Sequence, residues 1–514
     1  MGVKMFAAID VGSYMLHLKV FEFLPSNIMK EVDSIRYGID LGTETFAEGR
    51  LSSRKATELC NVLSNFSEIM KSYGVTQYIA YGTSAIRETK NTQLLLDMIE
   101  QRTGIRIEVL SNSRQRFLTY KSVASTGYDF NRIIEKGTAI LDIGGGSIQF
   151  SLFEDDTLAA TQNMKLGVLR LQERLHVLSS GYAKYEVLLD EMINSQFEVF
   201  KKLYLKERQI ENVIIVDDYV SALLQNKLLG GNEAGYIESK QFYEFYDSLR
   251  CDSVGEKMKR YGLDEAGLNK LYISATLIRN AVKLTDAGLI WAPGTSLCDG
   301  MAYEYGEDRH LLKRTHDFEE DIIACAKNIS RRYMGSVKRA ETLEAITLYI
   351  FDALKKRSGL SVRDRLLLRI AAILHDCGKY VSLYNLGDCS YNIIMSTEII
   401  GLSHEEREIV ANVVRFNHME FESYEEIAGS HLMTPNEYLR ITKLAAILRV
   451  ANGLDRSHKQ KFKNIKVSIK EKDLIITVKT DKDITLERGL LNERANFFED
   501  VFYLKPVIKQ QNEK

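Results

Sequence analysis

Two short segments constrain this chain more than any others: Asp10-Val11-Gly12-Ser13 and Asp142-Ile143-Gly144-Gly145-Gly146-Ser147. Each follows a strand-length apolar run (residues 5–9 and 138–141), and each precedes a second strand-like run (16–21 and 149–153). Apolar strand, aspartate, glycine turn and returning strand together read as a β-hairpin. Backbone N–H groups of such a turn can converge on phosphate oxygens, because no Cβ blocks the approach. Gly12, Ser13, Gly144, Gly145, Gly146 and Ser147 are therefore the expected phosphate contacts. The aspartates that end the strands, Asp10 and Asp142, can hold Mg²⁺ against the same phosphates, directly or through water. One glycine turn is commonly only a turn. Two, about 130 residues apart, point to a duplicated half-domain with a phosphate cleft. Walker, Rossmann and HExxH patterns do not occur.

At 514 residues the chain is too long for one core, and it divides by pattern into four segments: 1–130, 131–311, 312–461 and 462–514. The first two mix strands with helices. After a charged stretch at 305–314 the pattern becomes long amphipathic helices (316–334, 338–357, 362–375, 391–400, 403–415 and 436–453). The last segment alternates again, as two strands and a helix near 484–499, and reads as a small α/β cap. Lys+Arg number 68 against 70 Asp+Glu, a net charge of −2, so bulk attraction to DNA or anionic lipid is excluded and any polyanion needs a local site. No apolar run reaches bilayer length and no signal peptide is evident. Six scattered cysteines without a CxxC pair read as free thiols of a cytoplasmic protein.

The motifs resemble those of the exopolyphosphatase/guanosine pentaphosphate phosphatase (Ppx/GppA) family over nearly the whole chain. The family's DxGSNS is met by residues 10–15, its ATSAxRxAxN by 82–91, its DIGGGSTE by 142–149 and its LGxVRL by 166–171. The resemblance implies a two-lobed actin-like ATPase fold followed by an all-α HD-like domain and the α/β cap. It also implies a homodimer and cleavage of a terminal phosphoanhydride of polyphosphate or pppGpp, with Mg²⁺, between the lobes. Arg87, one turn into a helix at 82–87, is a further expected phosphate contact. Arg170 reads instead as a salt-bridged or exposed arginine, and His17 and His176 as surface residues.

The departures bear on chemistry. Where the family's SGxEEA carries paired glutamates, this chain has Arg114 and Gln115, and the glutamate of GGGSTE is Gln149. A carboxylate can relieve an attacking water of its proton, whereas an amide or guanidinium cannot. Arg114 and Gln149 thus mark degenerate catalytic positions. Asp217-Asp218-Tyr219 replaces a glycine-rich loop and is expected to repel phosphate, while Tyr14 and Cys298 replace an asparagine and an arginine. The cleft therefore reads either as a phosphohydrolase or as a catalytically impaired nucleotide- or alarmone-binding protein.

A third reading lies in the helical half. His375-Asp376, with Asp455 downstream, resembles an HD-type phosphohydrolase signature that could hold a divalent transition metal. Its further histidines are replaced: Arg339 stands where the first is expected, Cys389 falls near another, and Asn417 precedes His418.

Overall fold

The apolar runs before the two aspartates become the central strands of two sheets. The first sheet comprises β1 (Lys4–Val11), β2 (Met15–Leu24), β3 (Ile28–Gly38), β4 (Gln77–Gly82) and β5 (Glu108–Val109), in the order β3-β2-β1-β4-β5. β1 pairs antiparallel with β2 and parallel with β4. The second comprises β6 (Thr138–Ile143), β7 (Ile148–Glu154), β8 (Thr157–Met164), β9 (Asn212–Val216), β10 (Tyr236–Glu238) and β11 (Leu289–Trp291), in the order β10-β11-β9-β6-β7-β8. β6 pairs antiparallel with β7 and parallel with β9. Each sheet is thus an antiparallel three-strand meander continued by parallel strands, with β10 added at one edge of the second. This duplication is the two-lobed actin-like arrangement. The coordinates are a computed structural model describing residues 4–511, apart from 26, 180–184, 207, 230, 231, 233, 429–432 and 464.

Period-two alternation decides where the aspartates go. In β1, Ala7, Ile9 and Val11 pack with Leu59, Leu63 and Phe66 from helix Ser53–Ser72. Phe6 and Ala8 face the opposite layer, with Leu118 and Met301. Asp10 continues that second series. In β6, Ala139, Leu141 and Ile143 join one core while Asp142 lies out of phase with them. Both aspartates therefore leave the main core of their lobe at the strand end, beside the turn.

Two compact units divide after Phe318 rather than near residue 311. The first unit extends to Phe318 because that ring packs on Phe117, Tyr120 and Tyr303 of the same unit. The second unit (Glu319–Lys514) is mainly helical. Its helices Val362–Leu374, His404–His418 and Pro435–Leu454 each start with a capping box, formed by Ser361/Asp364, Ser403/Glu406 and Thr434/Glu437. The C-terminal cap contains one strand more than expected: β14 (Lys505–Gln511) lies parallel to β13 (Asp473–Lys479), which pairs antiparallel with β12 (Ile465–Lys470). Among the described residues no helix is long and apolar enough to cross a membrane.

In the first unit, helix Asn112–Ala124 crosses helix Leu297–Asp308 at Gly300, where an added Cβ would lie 1.9 Å from the Leu118 carbonyl oxygen. Gly300→Ala should therefore force the helices apart and cost about 1–3 kcal/mol despite alanine's better helix propensity. A lowered urea midpoint would show it; an unchanged or raised midpoint would mean that the crossing yields freely.

Candidate functional site

The two glycine turns close in the same way. Gly12 N–H donates to the Met15 carbonyl at 3.0 Å, and Gly144 N–H to that of Ser147 at 2.9 Å. Asp10 faces His17 across β1/β2, as Asp142 faces Gln149 across β6/β7. The turns also meet each other: a Cβ on Gly145 would stand 3.0 Å from that of Ser13. Gly167 supports the second turn so closely that a Cβ there would come within 2.3 Å of the Gly145 carbonyl. Glycine is thus required for backbone approach, the property a phosphate-binding turn needs.

A cavity of about 400 Å³ opens between them. Asp10, Gly12, Ser13 and Tyr14 line one side, and Asp142, Gly144 and Gly145 the other. His17, Lys19, Glu31, Arg36, Gln115, Asp217 and Asp218 complete its polar wall. Most of these charges are already answered by the protein itself. Lys19 donates to Glu31 at 2.7 Å and to Asp299 at 2.9 Å. Arg116, 3 % exposed, holds Asp142 with Nη1–Oδ2 at 2.5 Å, and its Nη2 donates to Ser147 Oγ at 2.7 Å. Tyr14 donates to Asp218 at 2.5 Å, and its ring stacks on Tyr219, so the two lobes are clasped at this point.

Asp217 does not stand free to repel phosphate. Its carboxylate accepts the N–H groups of Tyr219, Val220 and Ser221 at 2.7–3.0 Å and the hydroxyls of Ser221 and Ser274. It occupies, as an internal anion, the backbone amides where helix Val220–Gln225 begins. Asp10 Oδ1 is buried without a hydrogen-bond partner, as is Asp142 Oδ2, which instead faces the Arg116 guanidinium. Burial, reinforced by Asp218 and Asp142, raises its pKa to about 8. Burial likewise raises that of Asp218.

Several expected contacts do not reach this cavity. Arg87 donates to the Leu110 carbonyl at 2.6 Å, to Asn112 Oδ1 at 2.5 Å and to Ser84 Oγ at 3.2 Å, so its guanidinium braces the lobe. Arg114 is paired with Glu304, which Lys121 also contacts. Gln149 is buried with its amide on Thr161 and Ser151 hydroxyls. Gly146 and Ser147 also lie outside the lining; the Gly146 carbonyl accepts from Arg170, which pairs with Glu88 as its salt-bridged reading expects, and Ser147 accepts from Arg116. His17 is not a surface residue: it is 5 % exposed, lies 2.9 Å from Ser34 Oγ, and burial with Arg36 and Lys19 nearby lowers its pKa to about 3. The sequence does not single out Arg116 or Lys19, and it reads His17 only as a surface residue. Of the two positions at the paired glutamates, Gln115 lines the cavity and Arg114 does not.

In the second unit, His375, Asp376 and Asp455 do come together, around a guanidinium. Arg339 lies 3.9 Å from Asp376 Oδ2 and 3.7 Å from Asp455 Oδ2, and its Nη2 donates to Asn452 at 2.7 Å. His375 Nε2 stands 3.6 Å from Asp376 Oδ2, and His418 is taken by the His375 carbonyl. Burial lowers the His375 pKa to about 3.

Neither donor set suits the metal expected of it. Magnesium demands about six oxygens near 2.1 Å, yet Asp142 is met by a cation at 2.5 Å. A metal between Asp376 and Asp455 would contend with Arg339. Among the described residues no group of three or more His, Cys, Asp or Glu side chains is arranged to hold a metal ion.

Comparison with known proteins converges on one family. The model of the Ppx/GppA phosphatase family matches residues 22–253, and that of Ppx/GppA phosphatase, domain III, residues 323–495. Exopolyphosphatase 1 of Mycobacterium leprae is 30 % identical over 164 residues, 32 % of this chain and 47 % of that protein. The chain thus spans about half the length of such relatives. Guanosine-5'-triphosphate,3'-diphosphate pyrophosphatase of Vibrio atlanticus is 20 % identical over 459 residues, 86 % of each chain. The crystal structure of an exopolyphosphatase from Cytophaga hutchinsonii shares the fold, with a TM-score of 0.53 and 20 % identity over 61 % of this chain and 100 % of that one.

Two outcomes follow from the site's charges. Asp10 titrates near 8 when folded, against 3.8 as a free side chain, so the folded state holds its proton between those values. Its contribution to stability is full below about pH 4 and is lost as pH rises through about 8. In EDTA, the stability gained by Asp10→Asn over the parent should grow from pH 5 to pH 8.5; a pH-independent difference would contradict the raised pKa. In the second unit, Arg339→Ala leaves buried Asp455 without its counter-charge and Asp376 with only Lys379, 3.3 Å away; it should cost about 3–5 kcal/mol in urea unfolding, whereas a loss below about 1 kcal/mol would show that the arginine is not their counter-charge.

Proposed function

Because the chain belongs to the Ppx/GppA phosphatase family, we propose that its interlobe cleft binds the terminal phosphates of polyphosphate or of a guanosine pentaphosphate. The observation that carries this reading is the pair of identically closed turns, Gly12-Ser13 and Gly144-Gly145, facing one cavity. Relatives named for both activities support the two ligand classes. The free cysteines support a cytoplasmic setting.

Turnover in this site is slow. Phosphoanhydride hydrolysis needs water held in line and relieved of a proton. Arg114 and Gln149 are engaged elsewhere, and Gln115 can orient a water but cannot accept its proton. Asp10, protonated below about pH 8, is a poor base at neutral pH. Serving as a binding protein rather than as a fast phosphatase is the reading these groups favour. Mg²⁺ belongs to it as a counter-ion carried in by the polyanion, where it neutralises charge on the phosphate oxygens.

Calorimetry with polyphosphate and pppGpp should show saturable binding to the parent chain. Gly144→Ala, whose Cβ would only touch the Ser147 carbonyl oxygen at 3.4 Å, should weaken it at least about tenfold with the fold intact; undiminished binding would place the ligand elsewhere. Gln115→Glu should raise phosphate release about tenfold or more, since a positioned base contributes roughly 10²–10⁴. Arg114→Glu should give no gain. The reverse pattern would refute the assignment of Gln115.

A further inference from the structure

The guanidinium of Arg116 sits inside the second phosphate turn. It bridges the residue that opens the turn, Asp142, to the residue that closes it, Ser147, whose hydroxyl and carbonyl oxygens both accept from Nη2, at 2.7 and 3.2 Å. It comes from a different element, helix Asn112–Ala124, and is fixed there by burial. A guanidinium stays charged at any pH the protein meets. The turn therefore carries a permanent positive charge on the carboxylate that would otherwise be a cation ligand.

We infer that Arg116 is the resident cation of this cleft and replaces a divalent metal at Asp142. A divalent ion on the same oxygen would have to displace the guanidinium or endure its repulsion at close range in a partly buried site. The second unit repeats the arrangement independently: Arg339, also 3 % exposed, lies between Asp376 and Asp455. In both places where carboxylates converge as if for a metal, an arginine supplies the charge. Such a cleft keeps its electrostatic balance when free Mg²⁺ falls, so ligand binding there needs no protein-bound metal.

The inference concerns the ligand-free chain and stands or falls apart from the phosphate reading, because metal binding is measured without a ligand. Mn²⁺ titration of the whole protein, followed by electron paramagnetic resonance, is the direct test. The parent should show no Mn²⁺ site that Asp142→Asn removes. Arg116→Met, which keeps the stem and loses the charge, should gain one Mn²⁺ per chain with at least tenfold tighter binding. The double variant Arg116→Met/Asp142→Asn should lose it again. A parent site abolished by Asp142→Asn overturns the inference, as does a folded Arg116→Met that gains none. Should Arg116→Met fail to fold, the parent and Asp142→Asn titrations still decide: identical curves support the resident cation, and a lost site refutes it.

Discussion

A carboxylate drawn out of water needs a counter-charge or a proton, and the first unit must satisfy that condition for several carboxylates around one cavity. Arg116 answers Asp142, and Lys19 answers the buried Asp299. Three backbone amides and two hydroxyls answer Asp217. Tyr14 reaches across the lobes to Asp218. Asp10 is left to be answered by its own proton. The closeness of the two lobes and the weakness of the site as a base both depend on this set of pairings.

The same condition explains how a phosphate frame can persist while its chemistry changes. The turns are built from strand alternation and backbone hydrogen bonds, neither of which depends on the catalytic side chains. Charged groups could therefore be exchanged around a fixed backbone, provided that each exchange left no buried charge alone. Asp217 on the amides of its own helix and Arg116 on Asp142 are such exchanges: an internal anion and an internal cation at positions where ligand and metal would compete with them. In the helical unit Arg339 meets the same requirement for Asp376 and Asp455.

Local pattern made much of this legible. The hairpins, both central strands and the capped helices of the second unit follow from apolar periodicity and from Ser/Thr–Asp/Glu spacing, which act within a few residues. The polar strand β8, with sequence TLAATQNM, and the C-terminal β14 lack that signal and take their place by pairing with β7 and β13. His17 and Lys19 alternate with Leu16, Leu18 and Val20 as if one face of β2 were solvated, but helix Leu297–Asp308 covers that face, and both are buried. Arg116 was invisible for a different reason. Its helix has no clean apolar stripe, and its partner Asp142 belongs to another element, so only the fold shows that the two charges meet. Asp217 carried a usable signal, an acidic residue just ahead of a helix, which marks a cap as readily as a repulsive charge.

The central claim is that the paired turns hold terminal phosphate with charges the protein supplies. The most direct measurement is a crystal structure of the chain with a short polyphosphate, grown in EDTA. The account predicts a terminal phosphate seated between Gly12-Ser13 and Gly144-Gly145, with Arg116 still on Asp142. A phosphate bound only at surface lysines and arginines, or an empty cleft that fills only when Mg²⁺ is added and Arg116 has swung away, would contradict it.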